Sequence, residues 1–176
     1  GPHGYAYPKT IKVPYPNAAG FSYMNLNANS DPTTMREVYS NSVYFDDTQI
    51  KRVLDSLKAK GFFENTVIIV TGDHGQEFND NKKGYWGHNS NYSLYQTHVP
   101  MVIYWPGRSP AVIDERTTHF DVSSTLMTDF FGCSNAKSFS SGENLYDRKG
   151  RDWFIMGREG DYAIRSGAIT TVVYPK

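Results

Sequence analysis

The chain has 176 residues, with 18 Lys plus Arg against 18 Asp plus Glu, 13 Tyr, 10 Phe and one cysteine. That length suits one domain with a real core. The balanced charge gives no global attraction to nucleic acid, and a lone Cys133 excludes an intrachain disulfide. No apolar run approaches the roughly 18 residues of a membrane-spanning helix, and the opening residues do not read as a signal peptide.

Residues 1–30 read as loop, with Pro2, Pro8, Pro14, Pro16, Asn17 and Gly20 and one short extended piece at Ile11-Lys12-Val13. A turn-rich opening without an initiator Met is expected of a portion of a longer protein. At Ser30-Asp31-Pro32 a capping side chain precedes a proline suited to the first helical position, and Glu37 matches the acidic bias of a helix start. Val43, Ile50, Val53, Leu54 and Leu57 recur with helical period, and Lys58, Lys60 and Gly61 form a stop signal. The spacing predicts one helix over 32–60, or two broken near Asp46-Asp47.

The apolar run from Thr66 to Gly72 predicts a strand buried on both faces, and hence a parallel sheet. Residues 75–92 are too polar for core and too long for a tight turn, which predicts a functional loop. A second buried strand is expected over Val99–Trp105, closed by Pro106-Gly107, and a helix over Asp121–Phe131, closed by Gly132. Residues 132–150 read as loop. Short strands follow near Trp153–Met156, Tyr162–Arg165 and Ile169–Tyr174. The order predicts an α/β fold with helices packed on a mainly parallel sheet and a small antiparallel C-terminal patch. The domain plan is a loop-rich lead-in over 1–30, an α/β core over 31–131, and loop plus closing strands over 132–176.

The candidate chemistry sits where the first strand stops, at Thr71-Gly72-Asp73-His74-Gly75. Ligands gather at the carboxyl ends of strands in open α/β sheets. Asp73 and His74 offer an oxygen and a nitrogen ligand, a mixed set suited to Zn, Mn or Fe, whereas a mostly oxygen set suits Mg or Ca. Neighbours on a strand point to opposite faces, so both reach one ion only where the strand has ended. His88, in Gly84-Tyr85-Trp86-Gly87-His88-Asn89, either binds metal, donates to an anionic oxygen, or packs as a loop residue on Trp86. Glu77 reads either as a carboxylate orienting an imidazole or as a solvated acid. His3 lies in a Pro-Gly turn at the terminus, where a tag remnant is the alternative. His119 and Asp121 fit a helix start, Asp121 as its N-cap. His98 reads as structural and Cys133 as a small buried thiol. Neither a Gly-x-Ser-x-Gly elbow nor a phosphate-cradling Gly-Lys-Ser/Thr loop is present.

These segments together resemble the C-terminal part of the catalytic domain of the alkaline phosphatase/sulfatase superfamily. The resemblance is carried by Asn65–Gly75, Gly87-His88, Val99–Gly107 and Thr118-His119-Phe120-Asp121-Val122-Ser123-Ser124-Thr125-Leu126. Asp73–Asp80, Tyr85–Asn91 and the opening Pro2-His3-Gly4-Tyr5 point within it to the PbgA/YejM-like inner-membrane group, related to lipoteichoic acid synthases and phosphoethanolamine transferases. The resemblance implies a divalent metal (Mn, Zn, Mg or Ca) on Asp73 and His74, with His3 and His88 contacting a phosphate or sulfate group and Glu77 behind them. It implies hydrolysis or transfer at phosphate or sulfate esters of envelope lipids or glycans. It also implies membrane anchorage through a preceding transmembrane part, a location on the periplasmic face of the inner membrane, and no nucleic-acid partner. The family's nucleophile belongs to earlier strands, so these residues supply none, and the chain alone is expected to be inactive. The alternative implied is a non-catalytic periplasmic domain that senses lipid or binds a partner.

Overall fold

The computed structural model describes residues 2–147 and 151–175, so Gly1 and part of the loop expected over 132–150 lie outside the described residues. Backbone contacts divide the chain into two compact units, Gly1–Arg108 and Ser109–Lys176.

In the first unit, helix α1 runs unbroken over Thr33–Ala59. Asp31 caps it, its carboxylate accepting from the Thr33 N–H at 3.0 Å and the Thr33 hydroxyl at 2.7 Å. Gly61, at φ +72, ends it in the left-handed region. Asp46-Asp47 do not interrupt it, because two residues of modest helix propensity cost less than the packing of a long helix contributes. The helical period is correct but the buried face is not the one expected. Val43 and Val53 are exposed, whereas Met35, Asn41 and Ser42 are buried. Asn41 explains the choice of face. Its amide donates to the Tyr7 hydroxyl and the Tyr15 carbonyl, and its carbonyl accepts from the Tyr15 N–H. A buried amide thus pins the proline-rich lead-in onto α1.

Strand β1 covers Ile68–Thr71 and strand β4 covers Met101–Tyr104, and they pair antiparallel with Ile69 opposite Ile103. The apolar runs do form strands. Yet neither is buried on both faces, and every strand pairing among the described residues is antiparallel. Apolar content specifies a face to be covered, not the direction of the neighbour, so the mainly parallel sheet read from it is not what these residues form.

The stretch read as a polar loop is a hairpin. Strands β2 (Glu77–Phe78) and β3 (Trp86–Gly87) pair Glu77 with Gly87 and Phe78 with Trp86. Its turn is exposed at Lys82 and Lys83, but Glu77 is core rather than surface, 0% exposed. Its carboxylate accepts from the Asn81, Asn91 and Gln96 amides, each at 2.8 Å, and from the Ser93 hydroxyl at 3.0 Å. Four donors satisfy the charge and so permit its burial. Gln96 belongs to the one-turn helix α2, Leu94–Thr97. Asn79, buried at φ +56, turns the chain out of β2 and donates to the Ala28 carbonyl. Arg36 of α1 pairs with Asp80 at 2.5 Å. Gly75 leaves no room for a side chain, because a Cβ there would lie 2.2 Å from the Tyr95 carbonyl oxygen.

In the second unit, helix α3 spans His119–Thr125 and continues as a π-turn over Leu126–Phe130 to Gly132 at φ +68. Thr118, not Asp121, is its N-cap. Asp121 sits at the third helical position and its carboxylate accepts from the Thr118 N–H at 2.6 Å, closing a capping box. Strands β5 (Trp153–Arg158), β6 (Asp161–Ser166) and β7 (Ile169–Val173) form an antiparallel sheet in that order, the C-terminal patch expected from the sequence. Cys133 is half-buried rather than sealed in core.

Glu77→Ala removes the shared acceptor of four donors, the buried Gln96 amide among them, and should lower unfolding free energy by about 3 kcal/mol. Urea titration of the variant against the parent checks this, and a loss below about 1 kcal/mol contradicts the hub.

Candidate functional site

Strand β1 ends at Thr71, and the chain leaves the ladder through Gly72-Asp73-His74-Gly75. The hairpin then returns His88 to the same place. In its register the pair after Glu77–Gly87 is Gln76 with His88, and alternation sends these two to the face opposite Glu77. The third imidazole arrives from the terminus. His3 lies in a 3-10 turn, Pro2–Gly4, followed by Tyr5 at φ +51. Tyr5 is held in an aromatic cluster, its ring 5.3 Å from Phe21 and 5.6 Å edge-on from Tyr39 of α1, which packs at 5.2 Å on Phe78 of β2.

The ligand nitrogens of His3, His74 and His88 lie within 4.8 Å of one another. His74 stacks on His88 with ring centres 4.1 Å apart, and His3 tilts against His88 at 4.8 Å. Both inner imidazoles are tied at Nδ1, His74 to the Gly75 carbonyl at 2.9 Å and His88 to the Gln76 side-chain oxygen at 3.3 Å. A carbonyl oxygen only accepts, so Nδ1 carries the proton in each and Nε2 presents its lone pair.

Asp73 stands beside this cluster rather than within it. Its side chain is 91% exposed, and its Oδ1 lies 3.8 Å from His74 Nε2. Some desolvation pushes its carboxyl up. His74, backbone N–H bonds and His88 outweigh that and hold it below the usual carboxylate range. His88 goes below its ordinary 6.5 because burial, then His74 and His3, disfavour its charged form, against the pull of Asp73.

The residues picked from the sequence are therefore placed as follows. His3, His74 and His88 are brought together, with Asp73 on the rim. Glu77 belongs to the same hairpin but orients amides and a hydroxyl, not an imidazole. His98 is exposed at the end of α2, and His119 opens α3 in the other unit. Gln76, Tyr5 and Tyr23 were not singled out, although Gln76 is the residue that meets His88. The signal available was the two-residue alternation across Gln76-Glu77, unreadable until the hairpin register was known.

Comparison with known proteins gives a consistent result. The family model for Sulfatase matches residues 1–132. The chain is 30% identical over 159 residues to the "Inner membrane protein YejM" of Salmonella typhimurium, covering 87% of this chain and 26% of that protein. It is 36% identical over 78 residues to human iduronate 2-sulfatase, covering 44% of this chain and 14% of that enzyme. Among solved structures, a phosphonate monoester hydrolase from Silicibacter pomeroyi superposes with TM-score 0.64 at 23% identity, covering 98% of this chain and 37% of that one. The fold is thus alkaline-phosphatase-like. The chain spans about a quarter of the length of the YejM proteins it matches. No helix among the described residues is long and apolar enough to cross a membrane.

With a folded-state value below 6.5, His88 stays unprotonated where the unfolded chain takes up a proton. Its contribution to stability is therefore intact above pH 6.5 and lost as pH falls through the depressed folded value. In metal-free protein the His88 ring resonances should titrate below 6.5 by NMR, and a midpoint at or above 6.5 contradicts the crowding described.

Proposed function

The chain belongs to the sulfatase family, and we propose that it forms part of one sulfatase-like domain that hydrolyses or transfers phosphate, or sulfate, esters with a divalent metal. The observation that carries this reading is the convergence of three imidazoles beside an ionised, exposed carboxylate where β1 ends. The donor set fits a divalent transition metal: one carboxylate oxygen and imidazoles whose Nε2 lone pairs are already freed by their Nδ1 hydrogen bonds.

Two ligands on one zinc-like ion sit about 3–3.5 Å apart at tetrahedral angles and at most about 4.2 Å apart in line. The 3.8 Å from Asp73 Oδ1 to His74 Nε2 fits within that span. The ligand nitrogens of His3, His74 and His88 lie within 4.8 Å of one another beside that pair. Following the family resemblance, Asp73 and His74 hold the metal, and His3 and His88 face the oxyanion of the ester. Bound there, a divalent ion supplies Lewis-acid neutralisation of the ester's charge. The chain's own residues keep the carboxylate ionised, keep the imidazoles as lone-pair donors, and fix the distance between the metal ligands and the oxyanion-facing pair. No nucleophile is assigned within these residues.

Esters of envelope lipids or glycans, and a place at the periplasmic face of the inner membrane, are the substrate class and location proposed, supported by the likeness to inner-membrane relatives. The rival is a non-catalytic domain that senses lipid or binds a partner through the same face. Aryl-phosphate and aryl-sulfate turnover by the complete protein, with its metal content measured, separates the two. Metal retained without turnover of either ester sinks the enzyme.

Asp73→Ala in the complete protein should abolish turnover and cut bound metal at least about tenfold. Metal content and activity equal to the parent refute the ligand assignment. Metal affinity should also weaken as the medium is acidified, because protons compete with the metal for its ligand atoms, as read by metal titration at pH 7.5 and 5.5.

A further inference from the structure

The hydrogen-bond chain behind His88 sets what that imidazole can recognise. Tyr23 donates its hydroxyl proton to the Tyr5 oxygen at 2.7 Å, and the Gln76 side-chain NH₂ donates to the same oxygen. With its NH₂ group engaged by Tyr5, Gln76 turns its carbonyl oxygen to His88 Nδ1, 3.3 Å away. Tyr5 is buried, and burial together with the Tyr23 bond raises its phenol far above the usual range, so it remains a neutral partner. Gly87 at φ +83 shapes the wall. A Cβ there would stand 3.4 Å from the Tyr23 oxygen and 3.7 Å from the Gln76 amide nitrogen. The amide is therefore held in one orientation from both ends.

We propose that Gln76 is a positioning residue that fixes His88 with the proton on Nδ1 and the lone pair on Nε2, so that this corner of the site accepts a hydrogen bond and favours an oxyanion that still carries a proton, a phosphate, over a sulfate. This rests on the reading that His88 faces the oxyanion. The chemistry is that of the two anions. A phosphate monoester has its second pKa near 6 and so bears a P–O–H in a sizeable fraction of molecules at neutral pH. A sulfate monoester has no proton left to offer there. A lone pair facing an unprotonated anionic oxygen repels it, whereas facing P–O–H it completes a hydrogen bond. Sequence reading left His88 to bind metal, to donate to an anionic oxygen, or to pack on Trp86. The neutral tautomer held by Gln76 makes it an acceptor instead.

The test uses the complete protein, metal-loaded for binding and metal-free for spectroscopy, with ¹⁵N-labelled histidine. In the parent, His88 should show a protonated Nδ1 and an unprotonated Nε2, and inorganic phosphate should bind about tenfold or more tightly than inorganic sulfate at pH 6.5. Gln76→Leu removes the carbonyl at similar volume. It should move the His88 proton toward Nε2, the form free histidine favours, and bring phosphate and sulfate to within about twofold of each other. Gln76→Glu keeps an acceptor in place and should restore the Nδ1-protonated signature. A parent His88 protonated at Nε2, a tautomer unchanged in Gln76→Leu, or equal affinity for the two anions in the parent overturns the proposal. If Gln76→Leu fails to fold, the parent and Gln76→Glu signatures still decide it. If neither anion binds the parent while the tautomer shifts as described, the oxyanion reading of the site fails and the positioning of His88 by Gln76 stands.

Discussion

A buried carboxylate with four donors around it organises this chain more than any apolar cluster does. Glu77 gathers Asn81, Asn91, Ser93 and Gln96, and so draws the hairpin, the loop after it and the short helix α2 around one charge. Such a hub tolerates no slip of register. Moving β2 by one residue would turn Glu77 to the outer face and bring Gln76 inward, leaving four amides and hydroxyls unsatisfied. The same constraint aims the opposite face. With Glu77 inward, Gln76 and His88 are outward and opposite each other, at the end of the strand that delivers Asp73 and His74. Stability and site geometry are thus two faces of one ladder.

Polar interiors of this kind recur in the first unit. Asn41 ties the lead-in to α1, and Asn79 ties the hairpin to Ala28. Among the described residues only a few apolar side chains are fully buried, and the strands β1 and β4 are half-covered. Directional bonds therefore specify position here where volume filling does so in a larger core. His3, far away in sequence, is brought in by the aromatic cluster around Tyr5, whose left-handed backbone follows directly after its turn.

Local signals were legible wherever the physics is local. The helix over residues 33–59 showed in its cap, period and terminal glycine, and the closing strands showed in β-branched and aromatic runs bounded by turns. Asp73 and His74 were legible as chemistry because they end an apolar strand with glycines on either side. The direction of strand pairing was not legible, since it depends on which chain segment lies alongside. Nor was the buried face of α1, since Asn41 carries no apolar signal. The hairpin at 77–87 was read as solvated loop because its composition is polar. Its burial depends on four partners, three of them further along the chain than β3.

By itself the sequence determined the long helix, the two apolar strands and the closing strands, the break at Asp73-His74, and the sulfatase kinship those motifs carry, because propensity, period and motif spacing are properties of neighbouring residues. Tertiary structure alone decided that Glu77 turns inward, that Gln76 meets His88, and that three imidazoles spread over 71 and 14 positions of chain share one corner while Asp73 stands at its edge. Those outcomes depend on ladder register and on hydrogen bonds between distant residues, and neither exists until the chain has folded back on itself.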